Sequence, residues 1–217
     1  MRRVIASVLC LAVLASGAFA MDKAAGFGVL FNTGSTSGQI DYVDYGVDYY
    51  GNSGKTSWTT DWTMKRAGYG GFAFFGLGQN WELNLGFLYK NPTSLKLTMD
   101  KESETLTGSD LALEAAGALQ FGLYWKYPIV VSETLVFFPT LGTDFELSLS
   151  TDNYEGWVWW DDIWVRAGIG MDFFFSESTF LRTHLIYGAA FPVGGDSDLG
   201  LTFGHGLLLK AGIGFMF

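Results

Sequence analysis

The sequence has little cysteine, little proline and few basic residues. Among 217 residues there are one Cys and four Pro, and 13 Lys and Arg stand against 22 Asp and Glu, a net charge of −9. The single cysteine excludes a disulfide framework. The acidic balance disfavours nucleic acid as a partner, because nucleic-acid binding needs a basic surface. Beyond residue 20, no uncharged stretch approaches the roughly 20 apolar residues of a membrane-spanning helix.

The N-terminal segment has the organisation of an export signal. Arg2 and Arg3 precede an apolar run over residues 4–13, and small residues follow up to Ala20. This pattern predicts a secretory signal peptide over residues 1–20 and a mature domain over 21–217. Cys10 lies inside the signal as apolar filler, so no thiol chemistry is expected of the mature chain. Without the two arginines, 11 basic residues remain and the net charge is about −11.

Glycine and aromatic residues are abundant, with 29 Gly, 19 Phe, 10 Tyr and 8 Trp. This composition indicates many strands and tight turns. The last eleven residues alternate with the period of a strand. One face carries Leu207, Leu209, Ala211, Ile213, Phe215 and Phe217, and the other carries Leu208, Lys210, Gly212, Gly214 and Met216. An apolar face opposite a face with a charge and glycines is what the wall of a membrane barrel requires, with lipid outside and a polar lumen inside.

Similar segments recur along the chain. We count eight, at 25–32, 67–75, 81–99, 111–127, 135–149, 162–175, 179–191 and 204–217. The sequence does not decide which face of 67–75 points outward, because that segment is so rich in Gly and Phe. Short connections (76–80, 127–134 and 176–178) alternate with long ones (34–66, 100–110, 150–161 and 192–204). We therefore predict an all-β fold, an eight-stranded antiparallel transmembrane β-barrel with long extracellular loops.

Two other architectures remain open. In the first long loop, the arms 40–50 and 56–64 flank a Gly-Asn-Ser-Gly turn at 51–54. We expect these arms to continue the first two strands as a hairpin above the membrane. If they were instead inserted in the wall, the barrel would have ten strands. A soluble lipocalin-like barrel is the third possibility, and it would turn the Leu and Phe rows inward.

Inward positions of the predicted strands carry charges of both signs. An eight-stranded barrel encloses space for side chains or one small ligand, so these groups are expected to pair as a lumen charge network. Its predicted members are Glu82, Lys90, Glu114, Lys126, Asp144, Glu146, Arg166, Asp172, Arg182, His184 and Lys210. The network either only stabilises the barrel or also forms a proton or solute path. We predict no metal site, no cofactor and no catalytic residues, although His205 near Asp196 and Asp198 at the rim leaves a minor enzymatic hypothesis.

Aromatic residues fall into two groups. Those near the short turns are expected to form an interfacial girdle: Trp81, Trp125, Tyr127, Phe137, Phe138, Phe173, Phe175, Phe180 and Phe217. The second group lies in the long loops among carboxylates, and is expected to form either cross-strand pairs or a surface that binds a solute, a glycan or a host protein. Its members are Tyr42, Tyr45, Tyr49, Tyr50, Trp58, Trp62, Trp157, Trp159 and Trp160.

With these features the chain resembles the small bacterial outer-membrane barrels, the group that contains the OmpX, OmpA membrane-domain and OmpW families. The resemblance covers residues 25–217 and rests on the signal, the loop alternation and the terminal Gly-Phe-Met-Phe. It implies that Phe217 is the signal for the barrel assembly machinery and that the mature chain lies in the outer membrane, in contact with its lipid. It also implies two candidate roles, surface interaction through protruding strands or passage of small hydrophobic solutes as in OmpW-like channels.

Overall fold

A computed structural model describes residues 23–47, 53–99, 102–108, 116–149, 162–192 and 203–217. The predicted signal peptide lies outside these residues. In the described part of the chain, no helix is long and apolar enough to cross a membrane. The strands are β1 (Ala24–Val47), β2 (Ser53–Leu77), β3 (Trp81–Met99), β4 (Glu102–Thr107), β5 (Ala116–Lys126), β6 (Ile129–Ser132), β7 (Leu135–Ser148), β8 (Asp162–Phe174), β9 (Thr179–Pro192) and β10 (Phe203–Met216).

Eight of these strands form a closed antiparallel ring. Going round it, β1 pairs with β2, then β3, β5, β7, β8, β9 and β10 follow, and β10 pairs with β1 from Ala24↔Met216 to Ser37↔Phe203. The backbone N–H of Phe217 also donates to the carbonyl oxygen of Lys23 at 2.9 Å. The ring confirms the predicted eight-stranded antiparallel barrel.

The register of the pairs gives the width of the barrel. Starting from Leu30 on β1, the row of paired residues reaches Ser148 on β7 in one direction and Phe138 in the other. The two ends differ by ten residues, which is the shear of the barrel. Eight strands with this shear tilt by about 40° and enclose a backbone radius of about 8 Å. Such a lumen has room for its own side chains or for one small ligand.

Side chains alternate along each strand between an apolar outer face and a buried lumen. The outward rows predicted for β3, β5 and β7 to β10 are exposed or half-exposed, whereas most residues at the alternate positions are buried. On β2, where the sequence was undecided, Phe72 and Phe74 point inward and Tyr69 and Phe75 point outward. The pairing partners decide this phase, because Phe72 lies opposite the inward Gly28 of β1.

The first long connection is sheet rather than loop. β1 and β2 stay paired as far as Val47↔Ser53, well beyond the last β1–β10 pair. β3 and β4 join them, with pairs from Ser94↔Thr107 to Met99↔Glu102. The expected hairpin is therefore one half of a four-stranded extension, made of the distal ends of β1, β2 and β3 together with β4. Its arms continue two wall strands and add none to the ring, which removes the ten-strand alternative.

A bulge in β3 gives this extension an apolar inner face. The register shifts where Lys65 pairs with Ser94 and Arg66 pairs with Pro92. The extra residue reverses the phase of β3, so that Leu95 turns to the same side as the lumen. There it packs with buried Trp62 and Met64, against the half-buried Ile40, Leu97 and Leu106.

At the opposite end, two predicted boundaries change. The connection predicted over 127–134 contains β6, which pairs with the beginning of β7 through Ile129↔Phe137 and Val130↔Val136. The strand predicted over 111–127 is described only from Ala116, because residues 109–115 lie outside the described part. The turns at this end remain short, as predicted.

Close packing at glycine gives the first testable prediction. A Cβ at Gly214 would overlap the ring of Phe180, which packs with Phe74 and Phe174. We expect Gly214→Ala to displace that ring and to lower the free energy of unfolding by about 1–3 kcal/mol. Urea unfolding of the barrel in lipid vesicles measures the change.

Gly71→Ala is the matched control, because a Cβ there would meet only the Gly28 carbonyl oxygen, at 3.6 Å. Equal unfolding midpoints for the two variants would contradict the predicted overlap.

Candidate functional site

The lumen gathers the buried ionisable groups of the described residues. Five are acidic and five are basic, so their formal charges cancel: Glu82, Asp144, Glu146, Asp162 and Asp172 against Lys90, Lys126, Arg166, Arg182 and Lys210. The chain as a whole carries −9. The net negative charge of the chain therefore comes from residues other than these ten.

The lower network, near the short turns, is centred on Glu82 of β3. Its Oε2 accepts from Lys126 Nζ at 2.9 Å and from the guanidinium of Arg182, and its Oε1 accepts from Asn84 Nδ2 at 2.9 Å. Glu82 is fully buried. A buried carboxylate is tolerated because several cationic and amide donors replace its lost hydration.

Arg182 of β9 connects this network to an aromatic cluster. Asp172 lies directly opposite on β8 and accepts two hydrogen bonds, from Nε at 2.6 Å and from a terminal nitrogen at 2.5 Å. The guanidinium carbon lies 4.5 Å from the ring centre of Phe74, 4.8 Å from Phe180 and 5.5 Å from Phe138. The planar cation is thus surrounded by two carboxylates and three aromatic rings, a combination that fills space as well as neutralising charge.

The upper network, farther from the short turns, is formed by β5, β7 and β8, with one donor from β3. Arg166 is fully buried, with Nε 2.5 Å from Asp144 Oδ2 and a terminal nitrogen 3.4 Å from Glu146 Oε1. Lys90 forms an ion pair with Glu146, and the Tyr124 hydroxyl donates to Asp144. Gln120 donates to both carboxylates, at 3.2 and 3.3 Å.

Lys210 and His184 lie opposite each other on β10 and β9. Lys210 Nζ donates to Asn84 Oδ1 at 3.1 Å and lies 4.6 Å from the ring centre of Tyr124, and no described carboxylate is within ion-pair distance of it. His184 Nε2 is 4.0 Å from Glu82 Oε1, and its ring contacts Phe138 edge-on at 5.1 Å. Neither ring nitrogen has a hydrogen-bond partner among the described residues.

An apolar layer separates parts of the two networks. Leu30, Leu88, Ile186 and Leu208 are buried inside the barrel together with Phe72 and Ala118. Together with the aromatic rings around Arg182, they leave the charged groups surrounded by protein atoms. This arrangement can hold a set of fixed ion pairs.

The structure places most predicted network residues in the lumen. Those in the lower network are Glu82, Lys126, Asp172, Arg182, His184 and Lys210, those in the upper one are Lys90, Asp144, Glu146 and Arg166, and Glu114 lies outside the described residues. Asn84, Gln120 and Tyr124 are hydrogen-bonding members that the pattern of charges does not predict. Their inward positions in the alternation were the available signal.

The prediction for two of the aromatic residues is wrong. Phe138 and Phe180, predicted for the interfacial girdle, face the lumen and are 2% and 1% exposed. Both follow the period of their strands, because Phe138 is two residues before the inward Thr140 and Phe180 is two residues before Arg182. Their proximity to the short turns was the weaker signal.

The predicted loop surface is only partly described. Tyr49, Tyr50, Trp157, Trp159 and Trp160 lie outside the described residues, and Tyr42 and Tyr45 lie on β1, paired with Trp58 and Lys55 of β2. Trp62, expected on the same surface, is 5% exposed and packs in the inner cluster of the extension. Its side chain is therefore not available to a partner there.

At the upper rim, His205 faces outward, with its ring 6.1 Å from that of Tyr187. Asp196 and Asp198, the residues of the minor enzymatic hypothesis, lie outside the described residues. Within the described ranges, no group of three or more His, Cys, Asp or Glu could hold a metal ion.

Comparison with known proteins finds similar structures only. No protein-family model and no curated protein matches the chain. OprG from Pseudomonas aeruginosa is 14% identical over 91% of this chain and 96% of its own, with a TM-score of 0.48. The N-terminal β-barrel domain of Pseudomonas aeruginosa OprF is 11% identical over 88% and 99%, at a TM-score of 0.39. AlkL, solved in lipid bilayers, is 12% identical over 91% and 90%, at 0.41. Likeness at this level says nothing about ligand or activity.

The upper network generates a prediction about stability. Arg166→Met leaves Asp144 and Glu146 buried without their shared cation, and we expect the free energy of unfolding to fall by about 3–5 kcal/mol. Lys210→Met, which removes no carboxylate contact within 4.0 Å, is the matched control and should cost less. Urea unfolding in lipid vesicles measures both.

A double-mutant cycle tests the specific pair. Because Asp144→Asn removes the charge that Arg166 neutralises, the double variant should be more stable than the sum of the single losses predicts. Arg166→Met within about 0.5 kcal/mol of the parent would mean that water hydrates these groups in a wider lumen.

Proposed function

We propose that the protein is a non-enzymatic integral barrel of the bacterial outer membrane, closed along its axis, that presents its four-stranded extension and acidic, aromatic loops for surface interaction. The observation that carries the proposal is the distribution of polar and apolar side chains, which is the reverse of that in a water-soluble protein. Its charges are inside, where Arg166 is 0% and Glu82 0% exposed, while its large apolar side chains are outside, as with Val29 at 67% and Phe173 at 45%.

The outer face supports a membrane location. Exposed apolar side chains surround all eight wall strands, which far exceeds the isolated patches of water-soluble proteins. Aromatic residues border this band, with Trp81 and Trp125 paired near the short turns and Tyr69 and Tyr89 paired, their ring centres 5.8 Å apart, towards the extension. A soluble lipocalin-like barrel would have the opposite distribution.

The filled lumen supports a closed barrel rather than a channel. Paired charges, the rings around Arg182 and the apolar layer at Leu30 and Leu208 occupy a cylinder of about 8 Å radius. The channel for small hydrophobic solutes, our alternative, requires a path through or beside these groups.

The extension supports a role outside the membrane. One edge of β1 pairs with β10 as far as Ser37, and beyond Ser37 that edge pairs with no strand of the described residues. Among the described residues, β4 likewise pairs only with β3. Such free strand edges offer backbone donors and acceptors to an extended segment of a host or surface partner. At the other end, the exposed Phe217 is available to the barrel assembly machinery.

Conductance separates the closed barrel from the channel. We expect the parent protein to show no steady current in planar bilayers and no uptake of a small apolar dye into liposomes. The triple variant Phe74→Ala, Phe180→Ala, Arg182→Ala should conduct, because it removes the cation and two of its rings. The control Phe173→Ala, Leu181→Ala, which changes only lipid-facing residues, should stay silent. Steady current or dye uptake with the parent would favour the channel.

Cysteine labelling tests the orientation. Thr105→Cys on β4 should react with a membrane-impermeant maleimide in intact cells, whereas Ser132→Cys at the end of β6 should react only after lysis. Both positions are exposed, so a difference reports membrane side and not burial. Equal labelling before lysis would contradict an outer-membrane barrel with its extension outside.

A further inference from the structure

Two parallel rows of side chains cross the outer face of the barrel over β2, β1, β10, β9 and β8. The register pairs Tyr69, Phe31, Leu209, Leu185 and Ile169 in the upper row and Gly71, Val29, Ala211, Thr183 and Met171 in the row below it. The upper row is uniformly large. The lower row is small at Gly71, Ala211 and Thr183.

A third row, below these two, is bulky again at all but its first position. It consists of Ala73, Phe27, Ile213, Leu181 and Phe173. The structure has a cavity of about 670 Å³ on this outer face, a groove that runs between the upper and the lower row and is lined by Phe31, Leu209 and Leu185 on one side and by Val29, Ala211 and Thr183 on the other. Residues of the inward-facing row between them, among them Leu30, Lys210 and His184, also line it, and no residue of the third row does.

The dimensions of the groove fit one extended hydrocarbon chain. It spans four strand spacings, about 19 Å, against roughly 15 Å for one leaflet of the hydrocarbon core. Because the paired rows run obliquely to the barrel axis, the groove descends from Tyr69 on β2 towards Met171 on β8. Both rows that flank it face outward, so the groove opens on the outer face of the barrel.

Two cationic side chains lie above the upper end of this groove. Lys65 is on the same outward face of β2 as Tyr69, four residues or about 13 Å further along the strand. Lys96 of β3 is its diagonal neighbour, because Lys65 pairs with Ser94 and Lys96 pairs with Thr63. Both are exposed, and neither forms an ion pair with a described residue.

These cations contrast with the rest of the described chain. Among the basic residues whose side chains the structure describes, the others are in the lumen or at its rim, apart from Lys23 at the lower end. Two unpaired ammonium groups on the outer face of an acidic protein, just above an aromatic pair, lie where a membrane lipid carries its phosphate. The long stems of lysine can reach along the wall to such a headgroup.

We propose that this surface is a binding site for a phosphate-bearing lipid of the surrounding membrane, with an acyl chain in the groove over Ala211 and Thr183 and the phosphate held by Lys65 and Lys96. The inference rests on the proposed membrane location. The apolar groove provides chain affinity, and the two lysines provide selection for an anionic headgroup at about fivefold per lysine.

Native mass spectrometry of the full barrel in detergent, with equal amounts of phosphatidylglycerol and phosphatidylcholine, tests the site. The parent should retain one phosphatidylglycerol in preference to phosphatidylcholine. Ala211→Leu should reduce retention of both lipids, because it fills the groove. Lys65→Gln with Lys96→Gln should bring the preference for phosphatidylglycerol close to one and leave phosphatidylcholine unchanged.

Matched controls lie outside the groove. Ala167→Leu adds the same volume at another outward position, and Lys23→Gln removes an exposed lysine at the far end; both should behave like the parent. Retention by Ala211→Leu equal to that of the parent would overturn the groove. Equal retention of the two lipids by the parent, or displacement of phosphatidylglycerol by excess inorganic phosphate, would overturn the two-part site.

Failure of this proposal is distinguishable from failure of the proposed function. Heat-modifiable gel migration reports whether each variant forms the barrel, and maleimide labelling reports its place in the membrane. A correctly inserted barrel without lipid preference would overturn the lipid site alone.

Discussion

Pairing of β1 with β10 is the constraint on which the rest of the structure depends. The fourteen pairs from Ala24↔Met216 to Ser37↔Phe203 close the ring, so that no wall strand keeps an unpaired edge. In a hydrocarbon surrounding, each unpaired backbone group would cost several kcal/mol. Closure with eight strands and a shear of ten also sets a narrow radius. Every inward side chain then has to share that space with the others.

The narrow radius explains the chemistry of the lumen. Charged groups that cannot reach bulk water must find partners, and they do so in two networks, around Glu82 and around Asp144 with Glu146, in which each carboxylate pairs with a cation. At Arg182, carboxylates contact only part of the large guanidinium, and aromatic rings pack against the rest. The stability of the barrel thus depends on these pairs, because a change at one residue leaves its buried partners unpaired.

The outer face of the barrel and the outer face of the extension differ in polarity. Below the Tyr69–Tyr89 pair the wall is apolar, and its only large variation is in the bulk of successive rows. Above that pair the same strands become polar outside, with Lys65, Lys96 and several hydroxyls, while the β3 bulge keeps an apolar inner face at Leu95. One insertion in one strand therefore lets an apolar wall continue as a sheet with a polar outer face and an apolar inner face.

Period-two alternation determined much of this protein from the sequence by itself. It gave the outward faces of β3, β5 and β7 to β10, the all-β class and the eight-stranded ring, because in a strand the side-chain direction depends only on position along the chain. It also placed Arg182, Arg166 and Lys210 on inward faces.

Only the tertiary structure decided which groups meet. Arg182 reaches Glu82, one hundred positions away, through a shear that no single strand encodes. The phase of β2 depended on its neighbours, and the bulge near Ser94 reversed the faces of β3 without a signal in its composition. Contacts across a closed barrel depend on the register of all eight strands together, whereas facing depends on one strand alone. That is why the walls could be predicted and the ion pairs could not.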